Sequence, residues 1–432
     1  MANINTPIGK LFNIEKGQLQ STKRTPGKYY FITAAEDWKT HNQYNHECEA
    51  LIFAAAASGS LGRTHYVDGK FISSDLCYIL TPKDEKKYPL NLAFYHFVFN
   101  SLRPVLVAAT KSGTSKESIN QTNFKKYDLP YFNIEQQNFW IERLKNTLVR
   151  KDLLCSQLTH QQTLLKKLRH QILQEAIQGK LTADFRAQNP DIEPAGELLA
   201  RIRAEKEKLI KKKKIKKQKP LPPIREEEKP FELPEGWVWC RLGEISEVKV
   251  GATPARDNPQ YWNGKINWVS SGEVANNYIE RTKDTITALG VEKTSAKINP
   301  KGSVLVAMIG QGKTRGQTAI LKINAATNQN VAAIWLSKLI PPEIVWYFFL
   351  SRYEKTRSGA SGGNQPALNG IKIKNTVFAI PPVCEIYKII NMLRNAEQLL
   401  QQLEAQITTN QAHAEQLMQA VLKEAFSQSG KA

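Results

Sequence analysis

Residues 134–181 read IEQQNFWIERLKNTLVRKDLLCSQLTHQQTLLKKLRHQILQEAIQGKL, with no proline and no glycine before Gly179. Apolar residues recur along this stretch at three- and four-residue steps, among them Leu154, Leu158, Leu165 and Leu168. That spacing places them on one stripe of a helix. At about 1.5 Å per residue the helix would be roughly 65 Å long, more than one globular core can cover. The stretch therefore predicts a long surface helix or a coiled-coil dimerisation arm.

A second copy of the same pattern lies further along the chain. Residues 8–17 align with 242–251, and residues 89–95 align with 341–347. Ser112-Gly113 aligns with Ser361-Gly362 at an offset of 249, which then holds through the helix for roughly sixty residues. A constant offset of this length indicates an internal repeat. We therefore predict two copies of one unit, each a variable globular part followed by a long helix.

Each globular part consists of short apolar runs separated by turn residues. Strands are predicted at residues 50–57, 71–80, 303–309, 318–323 and 331–336. An aromatic-rich buried helix is predicted at residues 90–102 and again at 342–353. The expected fold class is α+β, with two mixed α/β domains that each contain a curved, mostly antiparallel sheet and are joined by two long helices.

The two long helices share a heptad pattern. Its equivalent positions are Leu144, Lys151, Leu158, Leu165 and Ile172 in the first helix, and Leu393, Leu400, Ile407, Ala414 and Val421 in the second. A second row is predicted three residues after these, and in both helices it contains an amide, Gln161 or Asn410. An amide in such a seam specifies the register of pairing. The simplest arrangement is an antiparallel coiled coil within the chain, with an internal pseudo-two-fold repeat; pairing between two chains is the alternative.

The repeat divides the 432-residue chain into five segments. These are a first globular domain at 1–133, a central helix at 134–181, a charged Lys/Pro-rich linker at 182–232, a second globular domain at 233–382 and a distal helix at 383–428. Residues 201–219 hold eleven Lys or Arg against two Glu, so this segment supplies nine of the net +20 charges. The lysine run at 211–219 fits either a DNA phosphate contact or, more simply, a solvated spacer.

Composition places the chain among cytoplasmic proteins with a polyanionic partner. The basic balance favours nucleic acid. The N-terminus lacks a signal-peptide pattern, and no run approaches 18 apolar residues. Five cysteines lie far apart without a C-x-x-C pair, which predicts reduced thiols and no zinc site.

Residues 307–314, AMIGQGKT, fit a relaxed Walker A pattern but predict no nucleotide site. A P-loop requires a helix directly after its Lys-Thr, whereas a turn and a strand are predicted here. We expect a Gly-rich hairpin that carries basic residues. The sequence shows no methyltransferase motif, Gly-rich cofactor loop or His/Glu metal pair. A binding protein is therefore favoured over two rivals, a nuclease or NTPase built on the hairpin and a coiled-coil scaffold.

Three stretches give the chain a resemblance to the DNA-specificity subunits of type I restriction–modification systems. Residues 233–243, LPEGWVWCRLG, look like the start of the second target-recognition domain of that family, and residues 173–182, LQEAIQGKLT, look like the end of its central helix. Residues 362–369, GGNQPALN, followed by Ile380-Pro381-Pro382, look like the exit into the distal helix. The first exit departs from the family pattern, because it keeps Glu135-Gln136 but has only Pro130 in place of a proline pair.

The resemblance implies a sequence-specific DNA-binding subunit that is not itself catalytic. Each globular domain would read one half of a bipartite target, and the helices would fix the distance between the halves. The implied partners are double-stranded DNA, two methyltransferase (modification) subunits that methylate adenine, and a restriction/translocase subunit that cleaves. No cofactor is expected in this chain and no metal; S-adenosylmethionine, ATP and Mg are expected on the partner subunits.

Polar and basic side chains on exposed hairpins are the candidate DNA contacts, because these groups reach phosphates and base edges. In the first domain they are Ser58, Ser60, Arg63, Lys111, Ser112, Thr114 and Lys116. In the second domain they are Gln311, Lys313, Thr314, Arg315, Arg357, Ser361 and Asn364. A solvated loop side chain fits each of them equally well, and Ser112-Gly113 and Ser361-Gly362 also fit a contact to the methyltransferase.

Overall fold

The computed structural model describes residues 4–57, 59–113, 117–213, 215, 217, 219–310, 313–358 and 368–427, with only the backbone described for 355, 357, 358, 418, 422 and 425–427. The chain divides into two compact units. Unit 1 comprises residues 1–161 and 406–432, and unit 2 comprises residues 162–405. Each unit therefore holds one globular domain together with part of both long helices.

The first domain lies in unit 1. Its strands are β1 (Ile4–Pro7), β2 (Phe12–Lys16), β3 (Tyr29–Ile32), β4 (Lys39–His41), β5 (His46–Ala54), β6 (Thr64–Ser73), β7 (Cys77–Pro82), β8 (Lys111–Ser112), β9 (Ser118–Ile119) and β10 (Asp128–Tyr131). Its helices are α1 (Ile8–Leu11), α2 (Leu92–Thr110) and α3 (Gln121–Lys126), and the long helix α4 (Ile134–Ile177) follows. The single strand predicted at residues 71–80 was wrong, because a turn at Asp75 and Leu76 separates β6 from β7.

The sheet of the first domain has the strand order β2-β7-β5-β6-β3-β4. Its neighbouring strands are antiparallel except for the parallel pair β3–β6. Successive side chains of β5 point to opposite faces, so that Leu51 and Phe53 pack under α2 while Ala50 and Ile52 form a second cluster on the other face. Both faces of the sheet are therefore covered.

Helix α2 is the main core helix of the first domain. By length and composition it is the one helix among the described residues that could cross a membrane. Phe94, Tyr95, Val98 and Phe99 on this helix are fully buried in the core beneath the sheet. The apolar character of α2 therefore follows from its packing inside the domain.

Unit 2 contains the second domain and the segment that precedes it. Its helices are α5 (Ala183–Gln188), α6 (Ala195–Lys211), α7 (Leu242–Ile245), α8 (Ala288–Glu292), α9 (Pro342–Ser358) and α10 (Gly370–Asn375), followed by the start of the long helix α11 (Val383–Ser427). Its strands are β11 (Val238–Arg241), β12 (Ser246–Val250), β13 (Trp262–Val269), β14 (Asn277–Ile279), β15 (Asp284–Ile286), β16 (Val304–Ala307), β17 (Thr318–Leu321), β18 (Ala325–Thr327), β19 (Val331–Leu336) and β20 (Val377–Ile380).

The second domain shares the core strand order of the first, with one strand divided in two and one strand, β14, added beside β17. One sheet runs β12-β19-β16-β17-β14 and another runs β15-β13-β18. If β17 and β18 are taken as the halves of one strand, the order becomes β12-β19-β16-β17/β18-β13-β15, which corresponds to β2-β7-β5-β6-β3-β4. The terminal strands also correspond, because β1 pairs with β10 and β11 pairs with β20, both antiparallel. Matching topology is what the repeat in the sequence predicts.

A close backbone contact occurs at the same place in both domains. Gly17 and Gly251 end the aligned segments 8–17 and 242–251. A Cβ on Gly17 would lie 2.1 Å from the carbonyl oxygen of Ser74, and a Cβ on Gly251 would lie 2.1 Å from that of Thr327. Only glycine fits such an approach. The two domains therefore share a packing detail as well as a strand order.

Much of the predicted linker packs as part of unit 2. Ala195, Leu198, Leu199 and Ile202 of α6 are buried in the core of the second domain. Lys206 on the same helix donates from Nζ to the carbonyl oxygens of Gly243 (2.5 Å) and Ser246 (3.0 Å). Helix α6 is therefore part of unit 2, whereas the solvated-spacer alternative concerns the lysine run at 211–219.

Most of the seven-residue row predicted on the long helices is buried, whereas Lys151 and Ile172 are half-buried. In unit 1, Leu144 and Leu158 of α4 and Ile407, Ala414 and Val421 of α11 are each less than a tenth exposed. In unit 2, Leu165, Leu393 and Leu400 are buried in the same way. The end of α4, at Ala176 and Ile177, shares a core with Ile386 and Ile389 at the start of α11. In unit 2 the two helices therefore pack together.

The second row lies one residue away from its predicted position. Leu154 and Leu168 are 37% and 46% exposed, and Gln161 is also exposed. The half-buried residues are instead Leu148, Cys155, Gln162 and Arg169, four residues after the heptad positions. A helix with 3.6 residues per turn allows a step of three or of four residues. The leucines at the three-residue step favoured that step, which was wrong. The prediction that Gln161 lies in the seam was therefore wrong.

Polar groups occupy part of this second row. In unit 2, Arg169 forms ion pairs with Glu397 (3.1 Å) and Glu404 (3.2 Å) of α11. In unit 1, Arg143 pairs with Glu424 (2.9 Å). Asn410 is half-buried, and its Oδ1 accepts from Gln406 of its own helix (3.0 Å). Charge pairs thus join the two helices within each unit.

Candidate nucleic-acid interface

The turn between β5 and β6 was predicted to present polar side chains to DNA in the first domain. Arg63 donates from Nη1 to the Ala34 carbonyl (3.1 Å) and to Ser60 Oγ (3.2 Å), and its Nη2 lies 3.6 Å from a carboxylate oxygen of Glu36. Ser58 lies outside the described residues. The described candidates of this turn, Ser60 and Arg63, therefore bind each other and the neighbouring β3–β4 loop.

Arg103 on α2 holds the same turn from below. Its Nε donates to the carbonyl of Leu61 (2.7 Å) and its Nη2 donates to that of Gly59 (2.9 Å). Gly62 has a φ of +77°, and a Cβ there would meet Val107 and Arg103. The turn is thus fixed against the helix at several points.

The short β8–β9 hairpin carries the next candidates. Lys111 pairs with Glu117 (2.7 Å), and both Lys111 and Ser112 are exposed. Thr114 and Lys116 lie outside the described residues. Lys111 and Ser112 therefore remain accessible to a partner, although the charge of the lysine is partly neutralised.

In the second domain the corresponding turn lies between β16 and β17. Lys313 is exposed and Thr314 is half-buried, but Arg315 is only 7% exposed and its Nη2 donates to the Thr356 carbonyl (3.3 Å). Gly316, with a φ of +83°, turns the chain back against α9, which directs Arg315 inward. Arg315 is thus part of the packing of the turn.

Four further candidates of the second domain have no described side chain. Gln311, Ser361 and Asn364 lie outside the described residues, and only the backbone of Arg357 is described, at the end of α9.

An exposed aromatic surface on and beside the β3–β4 hairpin was not predicted from the sequence. Tyr30, Trp38 and Tyr44 are 48%, 37% and 38% exposed. Lys28 Nζ lies 5.1 Å from the ring centroid of Tyr29, and Lys70 Nζ lies 5.0 Å from that of Tyr44. Exposed aromatic rings beside cations suit nucleic-acid bases and backbone. The Tyr-Tyr-Phe run at residues 29–31 was the available signal, but aromatic residues in a strand usually indicate core.

The hairpin is held by a neutral histidine. Trp38 Nε1 donates to His65 Nδ1 (3.1 Å), so the proton of His65 lies on Nε2, which donates to the Ala35 carbonyl (2.8 Å). Burial, with a smaller effect from Arg63, lowers the pKa of His65. Burial and the neighbouring His65 lower the pKa of His96, on α2, to about 4. Both imidazoles are therefore neutral near pH 7.

At the corresponding place in the second domain, an arginine fills the aromatic surface. The guanidinium carbon of Arg256 lies 3.9 Å from the ring centroid of Trp262 and 5.0 Å from that of Trp268. Arg256 also pairs with Asp284 on β15 (2.9 Å). This hairpin thus offers a partner fewer free aromatic faces than the β3–β4 hairpin does.

The long helices also expose apolar side chains away from their buried row. Within unit 1, Val149 and Leu153 of α4 are 68% and 60% exposed. Within unit 2, Leu164 of α4 is 47% exposed and Leu399 of α11 is 61% exposed. Apolar side chains repeated on an exposed helix face mark a protein contact surface.

No group of three or more His, Cys, Asp or Glu that could hold a metal ion occurs among the described residues. The described surface therefore offers basic, polar and aromatic groups but no evident metal centre.

Comparison with known proteins places the chain in a family. The family model described as "Type I restriction modification DNA specificity domain" matches residues 5–153 and 234–409. The EcoAI specificity subunit of Escherichia coli is 33% identical over 268 residues, which are 56% of this chain and 41% of that protein. The EcoEI specificity subunit of Escherichia coli is 31% identical over 260 residues, 56% of this chain and 42% of that protein. The match thus spans about two fifths of each of these relatives.

More distant similarity extends over nearly the whole chain. The EcoDI specificity subunit of Escherichia coli is 21% identical over 427 residues, covering 97% of this chain and 86% of that protein. A chain from a structure of a type I R-M system has a TM-score of 0.61 at 14% identity, covering 98% of this chain and 97% of its own. The HsdS subunit from Thermoanaerobacter tengcongensis has a TM-score of 0.58 at 14% identity, with 98% and 95% covered. At such identity the two structures show a shared fold.

Proposed function

The chain belongs to the type I restriction–modification DNA specificity family, and from this premise we propose that it is the specificity subunit of a type I complex. In this role it binds a bipartite DNA target, directs adenine methylation by partner methyltransferase subunits and cleavage by a partner restriction subunit, and performs no catalysis itself. The observation that carries the proposal is the pair of domains with one strand order, each matched by the family model. Two copies of one reader suit a target made of two halves.

The long helices act as the spacer between the two readers. Their proposed arrangement is an antiparallel coiled coil with pseudo-two-fold symmetry, which fixes the gap between the half-sites on B-DNA. The ion pairs of Arg169 with Glu397 and Glu404, and of Arg143 with Glu424, support pairing within one chain. We assign the register to these ion pairs, with Asn410 as a secondary contributor.

DNA contacts are proposed on the hairpins and turns of each domain. Lys111, Ser112, Lys313 and Thr314 are accessible or half-buried in the structure, and the aromatic hairpin adds Tyr30 and Trp38. Seven further contacts are proposed from the sequence alone: Ser58, Thr114, Lys116, Gln311, Arg357, Ser361 and Asn364. Ser60, Arg63 and Arg315 support the turns from within and would act on DNA through them.

The proposed partners follow from the same role. Two methyltransferase subunits would dock on the exposed apolar faces of α4 and α11, and a restriction/translocase subunit would join that assembly. S-adenosylmethionine, ATP and Mg would be bound by those subunits, with none in this chain. The proposed location is the cytoplasm, where host DNA and the partner subunits meet.

The test is to co-express the chain with a methyltransferase subunit encoded beside it and to map methylated adenines across the genome. We expect one motif with two specific parts separated by a gap of fixed length. Methylation without a motif, or no methylation although the two proteins copurify, would refute the proposal. Hydrolysis of ATP by the isolated chain that is lost in Lys313→Ala would favour the rival NTPase.

A further inference from the structure

The lysine-rich segment that ends helix α6 is fastened to the second domain at its start. Lys206 donates from Nζ to the carbonyl oxygens of Gly243 (2.5 Å) and Ser246 (3.0 Å), which lie in and directly after the short helix α7. One turn earlier on α6, Arg203 forms an ion pair with Glu244 of α7. The last turn of α6 therefore leaves the surface of the domain from a fixed position beside α7.

The chain after the lysines is fastened to the same short helix. A Cβ on Gly243 would lie 3.1 Å from Cδ1 of Leu221, so this leucine packs directly on α7. The buried side chain of Arg241 donates from Nε to the carbonyl of Pro222 (3.1 Å) and from Nη2 to that of Pro223 (2.8 Å). Both ends of the lysine-rich segment are therefore held at one place on the second domain.

The chain between these two anchors is too short to carry the lysines far from the domain. Lys213 is seven residues after Lys206, mostly within α6, and Lys217 is four residues before Leu221. At about 1.5 Å per helical residue and about 3.5 Å per extended residue, each of these lysines lies within about 15 Å of an anchored residue. Their charges therefore stay close to α7.

Positive charge is concentrated between the anchors. Residues 207–220 contain eight lysines and one glutamate, which gives a net charge of +7. Lys374 of α10 adjoins the anchor, because a Cβ on Gly243 would lie 3.2 Å from its Cβ. The lysines of this segment that the structure describes are all exposed: Lys208, Lys211, Lys212, Lys213, Lys217 and Lys219. Charge at this density attracts a polyanion over about a Debye length, roughly 10 Å at 0.1 M salt.

The acidic side chains near the anchors already have cationic partners. They lie on α7, on β12 and in the chain that follows the lysines. Their pairs are Arg203–Glu244, Lys249–Glu247, Arg225–Glu227, Lys229–Glu226 and Arg241–Glu228. These carboxylates are therefore largely neutralised by other residues, and the surplus charge of the lysine-rich segment remains.

At the end of α6 a lysine occupies a position that suits glycine. Lys213 has a φ of +54°, and its N–H donates to the carbonyl of Ile210 (2.9 Å). Glycine is favoured at a left-handed residue that ends a helix, because it has no Cβ. A residue that is kept in a strained conformation points to a function for its side chain. In Lys213 that side chain supplies a charge.

We propose that four lysines at the end of α6 form a binding surface for the phosphate backbone of double-stranded DNA, independent of sequence: Lys208, Lys211, Lys212 and Lys213. The inference rests on the proposed function, which supplies DNA as the polyanion. Lysine suits this role because its ammonium is a point charge on a flexible stem, and contacts to phosphate carry no sequence information. The lysine surface holds DNA on the second domain, while base contacts come from other parts of that domain.

The test measures the affinity of the full chain for a DNA duplex of arbitrary sequence between about 50 and 200 mM salt, where phosphate contacts dominate. Glutamine at all four positions should reduce the slope of log K against log salt by about 0.9 to 3.6, because one to four phosphate contacts are lost. The affinity at 0.1 M salt should fall at least about eightfold. Arginine at all four positions keeps the charge and should retain the wild-type slope.

An equal loss of charge elsewhere in unit 2 is the matched control. Glutamine at four other exposed lysines should change the slope by less than about 0.9: Lys166, Lys167, Lys297 and Lys301. Both glutamine variants should melt within a few degrees of the wild type, because the replaced side chains are exposed. An equal fall in slope for the two variants would show an effect of net charge alone and would overturn the lysine surface.

The methylation motif shows whether the lysine surface reads bases. With the methyltransferase subunit coexpressed, the α6 glutamine variant should methylate the wild-type motif less completely, because contacts to phosphate position DNA without specifying it. A motif that is altered in one half would overturn the sequence-independent role. A wild-type salt slope with loss of methyltransferase copurification would show that the lysines bind an acidic protein, and would overturn the assignment to DNA.

Failure of this inference is distinguishable from failure of the proposed function. A folded α6 glutamine variant with the wild-type slope and the wild-type motif overturns the lysine surface and leaves the proposed function intact. A wild-type chain that binds no DNA and yields no methylation motif overturns both.

Discussion

The first and second domains are built on one strand order, yet they stabilise different ionisable groups. The first holds two half-buried, neutral histidines, His65 and His96, beside an exposed aromatic hairpin. Unit 2 contains one histidine, His170, which is exposed. Its second domain instead buries Arg241, which pairs with Glu228 (2.7 Å) and donates to the carbonyl of Asn375 (2.6 Å).

Some parts of the repeated fold are the same in both domains and others vary. Close backbone contacts are the same in both domains, as where Gly17 and Gly251 each approach a backbone carbonyl. Side chains on the hairpins differ, because Tyr30 and Trp38 are exposed in the first domain while Arg256 covers Trp262 in the second. The proposed role as two readers of different half-sites would account for this division, because it needs a shared scaffold and different recognition surfaces.

The largest effect is expected at the shared glycines. Gly17→Ala and Gly251→Ala each place a Cβ about 2.1 Å from a backbone carbonyl oxygen. The backbone must shift to relieve this clash. Each should lower the free energy of unfolding of its domain by about 4 kcal/mol, measured by denaturant titration. Gly196→Ala is the control, because nothing lies near its added Cβ. A small loss of stability for only one of the two variants would show that the two glycine contacts are not equivalent.

A smaller effect is expected where the two long helices begin. At the start of α11 the fully buried carboxylate of Glu385 accepts hydrogen bonds from Thr182, Arg186 and Trp237. Arg186→Ala removes its cationic partner and should destabilise unit 2 by about 3 kcal/mol.

The start of α4 in the first domain is fixed by a neutral group. Gln137 is fully buried there, and its Nε2 donates to the carbonyls of Pro89 and Phe132. Glu385→Gln in the Arg186→Ala background should recover part of the stability lost, because the uncompensated charge is gone. No recovery would show that the charge of Glu385 is not the cause of the loss.

The histidines predict a pH dependence confined to the first domain. The pKa of His96 is lowered from its ordinary value of 6.5 to about 4 in the folded protein. Below pH 6.5 the unfolded chain therefore binds this proton more readily than the folded chain does. Stability is therefore complete above pH 6.5 and is lost as the pH falls towards 4, by about 1.4 kcal/mol per pH unit at most for this group. His96→Gln should flatten the denaturant-monitored dependence between pH 7.5 and 5, while His170→Gln should not change it.

The second domain should lose stability in a lower pH range. Hydrogen bonds from Arg241, with that from the Arg225 backbone, lower the pKa of Glu228 to about 2. Its contribution is present above pH 4.5 and is lost as the pH falls towards 2. Hydrogen exchange resolved by domain should therefore show the first domain opening before the second on acidification. The reverse order would contradict the assignment of the buried groups.

The smallest effect is expected at the ion pairs of the long helices. Arg169 is 32% exposed and meets two carboxylates, whereas Arg143 is 48% exposed and meets Glu424. Partly exposed pairs of this kind contribute about 1 kcal/mol or less. Arg169→Ala should thus lower the melting temperature by a few degrees and Arg143→Ala by less, with smaller differences at 1 M salt. Equal effects would remove the special role assigned to Arg169.

The elements that depend on periodicity could be predicted from the sequence. The strand at residues 331–336 was predicted with its observed bounds, and the long helix at 134–181 ends four residues earlier than predicted. The step between the helix rows could not be fixed, because three and four residues both fit one stripe. Gln161 was therefore chosen although Gln162 is the half-buried amide.

The candidate interface was less predictable, because accessibility depends on how each turn is folded. Arg315 looks like a free cation in the sequence, yet the positive φ of Gly316 turns it inward. Tyr30 and Trp38 look like core residues, yet they are exposed because β3 and β4 form the edge of the sheet. Contacts between segments distant in sequence contribute to both cases, α9 with the turn of Arg315 and β6 with β3, and the local sequence pattern carries no information about them.

The most direct test of the account is to ask whether each domain reads its own half of the target. Methylated adenines would be mapped for the wild-type chain, for Tyr30→Ala with Trp38→Ala, and for Lys313→Ala with Thr314→Ala, each coexpressed with the methyltransferase subunit. The account predicts a bipartite motif in which the first pair relaxes one half, the second pair relaxes the other, and the gap stays the same. Relaxation of both halves by either pair, or a motif with a single part, would contradict it.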